Sequence, residues 1–427
     1  MNATIFPSQL KGTVKLPSSK SLVHRHLIAS FLAGEKREIP VRGLSQDILH
    51  TMKGLYALGG DFSIKDEKIF FRGRRTPSEE GEIFCGESAS TLRFLIPLAG
   101  ALGLKRVFVM EDSLARRPLK LYEKLLPAHG IKLQRDGNRL EISGKLTGGN
   151  FCIDGSESSQ WVTGLLMSLP LLQENSEIVV ENPSSQNYID LTLELLGDCG
   201  IAIHRAENEY EILGGQAYRS PTQTVAEDAS QACFWFLAGL LGHDIRLSPW
   251  GEDAQADRKA LKVFETMGLR LKREEKTLRL LSPRVIRPVK VFGDEFPDGI
   301  PPLVLGAAFA KGQSRFQKLH RLRIKESDRL ETLVKGLQNL KVKADIQEEG
   351  IILQGGGLSG GLVHTQKDHR MVMAFAIGAT KATGSVSLSD GESVKKSYPD
   401  FWRDFQAMGG KVIFHEEKVK ESKVLNL

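Results

Sequence analysis

One phrase recurs six times along this chain: a helical end, usually closed by glycine, then alternating apolar residues, a charged turn and a second short alternating stretch. The copies read ALGGDFSIKDEKIFFRG, AHGIKLQRDGNRLEISG, DCGIAIHRAENEYEILGG, TMGLRLKREEKTLRLLS, NLKVKADIQEEGIILQGG and MGGKVIFHEE. They turn near Gly60, Gly130, Gly200, Gly268, Leu340 and Gly410, a period of roughly 70 residues that marks a repeated supersecondary unit. Within a copy, Ile131 and Leu133, then Leu140 and Ile142, alternate with polar residues as the strands of a half-buried hairpin do. The glycine ahead of the hairpin reads as a helix C-cap in the left-handed conformation.

Between the copies lie SLVHRHLIASFLAG, STLRFLIPLAGALG and SQWVTGLLMSLPLL, apolar on more than one face and so suited to the inside of a domain. Six helix-plus-sheet units divide into two domains of three. The series restarts near Val225, and the N-terminal strand is free to cross over. With 427 residues, 41% hydrophobic content and a mean hydropathy of −0.20, the chain can bury two cores and carries no run long enough to span a bilayer. Its N-terminus, MNATIFPSQLKG, shows no basic segment followed by an apolar run, so a cytoplasmic protein is expected.

Cys85, Cys152, Cys199 and Cys233 are scattered without a CxxC pair, which points to neither a disulfide framework nor zinc; they are expected to be reduced and mostly buried. The net charge of +6 and pI near 9.0 would suit nucleic acid. However, the basic residues are interspersed with acidic ones, as in KREEK at 272–276, and a small polyanionic substrate explains a modest excess equally well.

Several segments combine cations, hydroxyls and glycine in ways a core does not require: Pro17–Ser21 with Arg25, Gly86–Thr91 with Arg93, Arg116-Arg117-Pro118, Ser158-Ser159-Gln160, Arg323–Arg329, Asp368-His369-Arg370 and Lys395-Lys396. PSSKS places hydroxyls, an ammonium and backbone N–H groups at a helix N-terminus, an anion-binding arrangement, although a plain N-cap reads the same way. GESAST repeats the theme, and neither segment matches the GxxxxGK[ST] phosphate loop. RIKESDR puts Lys325 and Arg329 four apart, on one face if helical, with a solvated salt-bridged helix as the bland alternative. In DHR, Asp368 reads as an N-cap, and Arg370 in a first turn requires an anion nearby. Asp298, at the start of another apolar helix, is fully explained as an N-cap, with catalysis as the second reading.

The segments PSSKSLVHR, GESASTLR, RRPL, SSQWVTGLLM, YIDLTLELL, EDASQA, FPD, KESDRL, DHRMVMAFA and KKSYPDF, collinear over nearly the whole chain, resemble the 5-enolpyruvylshikimate-3-phosphate synthases. The resemblance implies an α/β fold of two pseudo-threefold domains, each of three βαβαββ units in an inside-out α/β barrel, with the site in the cleft between them. One domain would comprise 1–16 plus 226–427, the other 17–225. It implies transfer of the enolpyruvyl group of phosphoenolpyruvate to the 5-hydroxyl of shikimate 3-phosphate, on the route to chorismate and aromatic amino acids. No cofactor, metal, nucleic acid or membrane is implied, and the protein would be a monomer.

By position, shikimate 3-phosphate would be bound by Lys20, Ser21, Arg25, Ser158, Ser159, Gln160, Ser185, Tyr188, Asp298 and Lys325. Phosphoenolpyruvate would be held by Lys20, Ser88, Ala89, Ser90, Arg117, Gln160, Arg329, Arg370 and Lys396. Lys20 and Asp298 are the candidates at the hydroxyl, and Glu326 is the candidate proton donor. Two phosphates and two carboxylates meeting in one partly desolvated cleft account for so many cations.

Several positions depart from the family pattern: Glu87 and Arg321 each replace Asn, and Gln186-Asn187 replaces Lys-Pro. Ala89 stands where glycine is common, and its methyl group is expected to weaken inhibition by glyphosate, a longer competitor. Two rivals remain. The related UDP-N-acetylglucosamine enolpyruvyl transferases carry a reactive Cys or Asp ahead of their Arg, whereas EDSLARRPLK has no Cys. A non-catalytic anion- or RNA-binding protein would show aromatics interleaved with basic residues, and aromatics here amount to 7%.

Overall fold

A computed structural model describes residues 1–251 and 253–415. Six apolar segments become helices Lys20–Ala33, Ala89–Ala101, Gln160–Ser168, Ala229–Leu240, Ile300–Ala307 and His369–Ala379, starting about 70 residues apart as the hairpin period requires. These six are the inner helices. In Ala229–Leu240 and Ile300–Ala307 every residue is buried, as expected of segments without a polar face. Each unit adds an outer helix with a one-sided stripe; in Arg258–Met267 only Ala260, Phe264 and Met267 are buried, the i, i+4, i+7 spacing of an amphipathic helix.

Each inner helix in the middle of a half joins two parallel strands, as Ala89–Ala101 joins Glu82–Gly86 to Arg106–Met110, and a hairpin then completes a four-stranded sheet. Gly130 and Gly268, with φ of 83° and 116°, close the helical segments ahead of their hairpins in the left-handed conformation, which side chains with a Cβ adopt only at a cost. Six small sheets face outward around the buried helices, and among the described residues none closes into a barrel.

Two units depart from the repeat. The sheet of Arg37–Pro40, Gly60–Lys65 and Lys68–Arg74 has three strands. In the sixth copy, only Lys411–His415 is a strand, and residues 416 and 417 lie outside the described residues. Its hairpin partner comes from the other end of the chain: Asn2–Phe6 pairs antiparallel with both Lys411–His415 and Val386–Leu388. Lys11–Val14 likewise runs parallel to Asp244–Leu247, so the N-terminal strands complete two sheets of the C-terminal half.

Buried apolar side chains form two clusters, one running from Val23 to Tyr218, the other joining Ala3–Leu16 to Ala229–Phe405. The chain passes between them twice, side by side. Ser18 bridges Glu227, Ser19 N donates to Ala226 O at 2.8 Å, and Asp228 N donates to Pro17 O at 2.9 Å. Cys85, Cys199 and Cys233 are buried, but Cys152 is exposed, because it points outward from Gly149–Asp154, where alternation buries Phe151 and Ile153 instead.

Candidate active site

The N-termini of inner helices from both halves converge on one cavity of ≈ 120 Å³. It adjoins a broader groove of ≈ 670 Å³, with Arg117, Lys325 and Glu326 shared between their walls. The caps differ in kind. Ser19, Ser88 and Ser159 precede the helices of the first half, whereas Asp228 and Asp368 cap two helices of the second. A serine leaves the positive helix end available to an anion, and an aspartate neutralises it. Neither Ser19 nor Ser159 spends its hydroxyl on a cap hydrogen bond.

Of the eighteen residues that the resemblance assigns to substrates or catalysis, fifteen line the cavity: Lys20, Ser21, Arg25, Ala89, Ser90, Arg117, Ser158, Ser159, Gln160, Ser185, Tyr188, Asp298, Lys325, Glu326 and Arg370. Ser88 does not; its hydroxyl accepts from Thr91 N at 3.2 Å and from Thr91 Oγ1 at 2.8 Å, a structural cap. Arg329 and Lys396 are buried just behind the wall, bonded to residues that form it.

Arg329 organises the acidic side. Its Nη1 donates to Asp298 at 2.8 Å, Nη2 to Glu326 at 2.7 Å and Nε to Asp368 at 2.7 Å. Asp298 also accepts from Arg370 at 2.9 Å and lies 3.9 Å from Lys325; Glu326 lies 3.4 Å from Arg117 and 3.7 Å from Lys396. Asp298 thus supplies the anion that Arg370 needs in its first turn. It is not an N-cap, because Gly299 takes that position and leaves the carboxylate to the arginines. Lys325 and Arg329 do not share a helical face either. The helix begins at Arg329, capped by Asp328, which accepts from Glu331 N, and Lys325–Asp328 form an irregular turn that aims Lys325 and Glu326 into the cavity.

Burial alone would raise the carboxyl pKa values here. For Asp298 it is outweighed by Arg370, Lys325 and Arg329, which hold the group well below the usual carboxylate range. Glu326 is held down in the same way, against burial, by Arg329, Arg117 and Lys396. Burial and neighbouring arginines bring Lys325 down to about 8 despite Asp298. Burial, then Arg370 and Lys20, hold His369 well below its ordinary value despite Glu326, so it is neutral.

Gln160 bridges Ser90 at 3.0 Å and Arg93 at 3.0 Å. Arg25 makes four hydrogen bonds, to Thr192, Thr163 and the carbonyls of Ser21 and Tyr188. Sequence reasoning missed Asp47, which pairs with Lys20 at 2.6 Å, and Asp257, which accepts from Tyr188 Oη at 2.8 Å. It also missed Asp228, which accepts from Lys20 N at 3.0 Å. Burial and then Asp298 push Asp257 up to about 7. Neither Asp47 nor Asp257 stands within a motif, and only tertiary contact reveals them.

The model of the EPSP synthase (3-phosphoshikimate 1-carboxyvinyltransferase) family matches residues 6–405. The chain belongs to this family. A 3-phosphoshikimate 1-carboxyvinyltransferase of Clostridium perfringens is 37% identical over 417 residues, covering 95% of this chain and 98% of the relative. The protein of that name from Clostridioides difficile is 35% identical over 427 residues, covering 96% and 97%. Among solved structures, an EPSP synthase of Acinetobacter baumannii superposes with a TM-score of 0.80 at 21% identity, covering 97% of this chain and 100% of its own. The enolpyruvyl transferase NikO of Streptomyces tendae gives 0.77 at 16%, covering 96% and 98%. At those identities the structural likeness establishes the enolpyruvyl transferase fold.

Proposed function

We propose that this EPSP synthase family member transfers the enolpyruvyl group of phosphoenolpyruvate to the 5-hydroxyl of shikimate 3-phosphate, releasing phosphate, by addition and then elimination. The observation that carries the reading is the placement of two partly buried carboxylates, Asp298 and Glu326, on one buried guanidinium, Arg329, within a cluster of further cations. Arg117, Arg329, Arg370 and Lys396 take the carboxylate and phosphate of phosphoenolpyruvate, with Ala89, Ser90 and Gln160 as the adjoining wall. Lys20, Ser21, Arg25, Ser158, Ser159, Gln160, Ser185, Tyr188 and Lys325 receive the acceptor.

Phosphoenolpyruvate brings its own anions to the cations that hold Glu326 and Asp298 ionised. As those cations turn to the substrate, burial dominates and both carboxyl pKa values rise toward the range where acid–base catalysis is efficient. In the addition, the acceptor oxygen bonds to C2 while its proton passes to Asp298, with Lys20 beside the hydroxyl, and Glu326 gives a proton to C3, turning the methylene into a methyl group. In the elimination, Glu326 takes a methyl proton back as the C2–O bond to phosphate breaks. The two carboxylates face the positive charge that develops at C2, where preorganised anions stabilise the transition state.

The division into domains of 1–16 plus 226–427 and 17–225 belongs to the same reading, supported by the two separate cores. So does action as a cytoplasmic monomer on small molecules rather than nucleic acid; among the described residues no helix is long and apolar enough to cross a membrane. The test is phosphate release from phosphoenolpyruvate with shikimate 3-phosphate or UDP-N-acetylglucosamine as acceptor. Release with shikimate 3-phosphate alone is expected. Release with the sugar nucleotide alone, or with neither, overturns the reading.

A further inference from the structure

Four polar side chains lie buried at the centre of the first half, and the reaction proposed above uses none of them directly: His24, Thr51, Thr91 and Ser88. They come from helix Lys20–Ala33, helix Gln46–Ala57, helix Ala89–Ala101 and the cap of that third helix. Together they form one chain. His24 Nδ1 lies 2.7 Å from Thr51 Oγ1, Thr51 Oγ1 lies 2.6 Å from Thr91 Oγ1, and Thr91 Oγ1 donates to Ser88 Oγ at 2.8 Å. Apolar side chains of the first core surround it, and Phe94 stands perpendicular to the His24 imidazole with ring centres 6.4 Å apart. A buried polar group without a partner is costly, so the chain is stable in a core only when each of its bonds is made.

The protons in the chain run one way, because a hydroxyl has a single hydrogen to give. Thr91 spends its own on Ser88, which also accepts from Thr91 N at 3.2 Å. Thr51 must therefore donate to Thr91, and His24 Nδ1 must donate to Thr51. That fixes His24 as the Nδ1–H tautomer and leaves a bare lone pair on Nε2, the ring atom for which the described residues offer no hydrogen-bond partner. The ring is neutral: burial, opposed by Asp47 and helped by Lys20, Arg25 and His50, lowers its pKa to about 3.

The chain runs one helical turn beneath the cavity. Lys20 and His24 are four apart on one helix, and Asp47 and Thr51 are four apart on the next, so each pair shares a face. The Lys20–Asp47 ion pair, at 2.6 Å, is the upper rung between these two helices, and His24–Thr51 is the lower. Thr51 and Thr91 join the second helix to the third, whose first residues, Ala89 and Ser90, line the cavity. Three residues on from Thr51, Gly54 keeps that approach close: a Cβ there would stand 2.5 Å from Leu95 Cδ1. We propose that His24 and Thr51 are positioning residues for Lys20. His24 as a fixed Nδ1–H donor, and Thr51 as the relay between three helices, set the register in which the Lys20 ammonium meets Asp47 and faces the acceptor hydroxyl. The inference rests on the place of Lys20 in the reaction proposed above.

The test is phosphate release by the parent, Thr51→Val and Thr51→Ser, measured well below the melting temperature of each. Valine keeps the volume and breaks the chain, whereas serine keeps the hydroxyl and drops a buried methyl group. Displacing a catalytic group by a fraction of its bond length costs rate more than capture of substrate, so Thr51→Val should lower kcat ~10- to 100-fold with the KM for phosphoenolpyruvate within about threefold. Thr51→Ser should keep kcat within about threefold of the parent although it melts lower. A merely structural role would leave the rate of both folded variants at the parent value. The parent rate in folded Thr51→Val, or an equal loss in Thr51→Ser, overturns the proposal alone. Should Thr51→Val not fold, as judged by circular dichroism, long-range proton–nitrogen NMR of the parent decides: His24 should show the Nδ1–H signature unchanged from about pH 6 to 8, and an Nε2–H or doubly protonated ring overturns the proposal. A parent that releases no phosphate overturns the proposed reaction and this inference with it.

Discussion

Changing Glu326 to Gln should have two effects of opposite sign, because the carboxylate stands among cations that the proposed reaction assigns to phosphoenolpyruvate. It lies 2.7 Å from Arg329, 3.4 Å from Arg117 and 3.7 Å from Lys396. The isosteric amide can no longer give a proton to C3 or take one back, a role worth about 10² to 10⁴ in rate, or roughly 3–5 kcal/mol of barrier. It also removes the anion that competes with substrate for those cations. The charge-assisted bond to Arg329 is worth about 1.5–3 kcal/mol, part of which becomes available to phosphoenolpyruvate. Glu326→Gln should therefore lower kcat at least ~100-fold while phosphoenolpyruvate binds no more weakly, and up to ~10-fold more tightly. Phosphate release gives kcat, and titration in the presence of shikimate 3-phosphate gives Kd. A kcat within about threefold of the parent would refute the acid role. A slow variant that also bound phosphoenolpyruvate ~10-fold more weakly would show that Glu326 acts through substrate binding.

Glu87 pairs with Lys396 at 3.2 Å and accepts a hydrogen bond from Ser113; Glu87→Gln frees the ammonium and should lower the KM for phosphoenolpyruvate by ~3- to 10-fold with little change in kcat. A raised KM would contradict this. Asp257, at about 7 in the folded protein, has a folded pKa above its unfolded value, so the folded state binds the extra proton and stability falls as pH rises between the two. Asp257→Asn should therefore add stability that is small near pH 4, grows toward pH 7 and levels off above it, reaching a few kcal/mol at about pH 8. Thermal melts across that range check the sign. Ala89, the first residue of its inner helix, lines the cavity; Ala89→Gly should sharpen glyphosate inhibition at least ~10-fold by removing a methyl from the space the inhibitor enters. Potent inhibition of the parent, unchanged in the variant, would exclude that account.

The period of the repeat was readable because each unit carries its own local signals: an apolar helix, a glycine such as Gly130 or Gly268 at φ > 0, and a two-residue alternation. What local signals cannot carry is the partner of a segment. Among the described residues the sixth copy has one strand, and its neighbour is Asn2–Phe6 from the far end of the chain. The same limit applied at the site. Lys20, Arg25, Asp298, Glu326 and Arg370 could be named from their segments, but the contacts of Lys20 with Asp47 and Tyr188 with Asp257 join residues that nothing in the sequence links. The spacing of Lys325 and Arg329 suggested a shared helical face, because charge spacing alone does not show where a helix starts. Asp328 caps at Arg329 and leaves Lys325 and Glu326 in the preceding turn.

Proton NMR of the product formed in D₂O from phosphoenolpyruvate and shikimate 3-phosphate tests the central claim most directly. If Glu326 delivers a solvent-exchanged proton to C3 and removes one again from the rotating methyl group, the product should be the 5-enolpyruvyl ether, with the 3-phosphate retained and deuterium in its methylene group. An enolpyruvyl ether without deuterium would contradict addition through a methyl intermediate. Pyruvate, or unchanged reactants, would contradict the transfer itself.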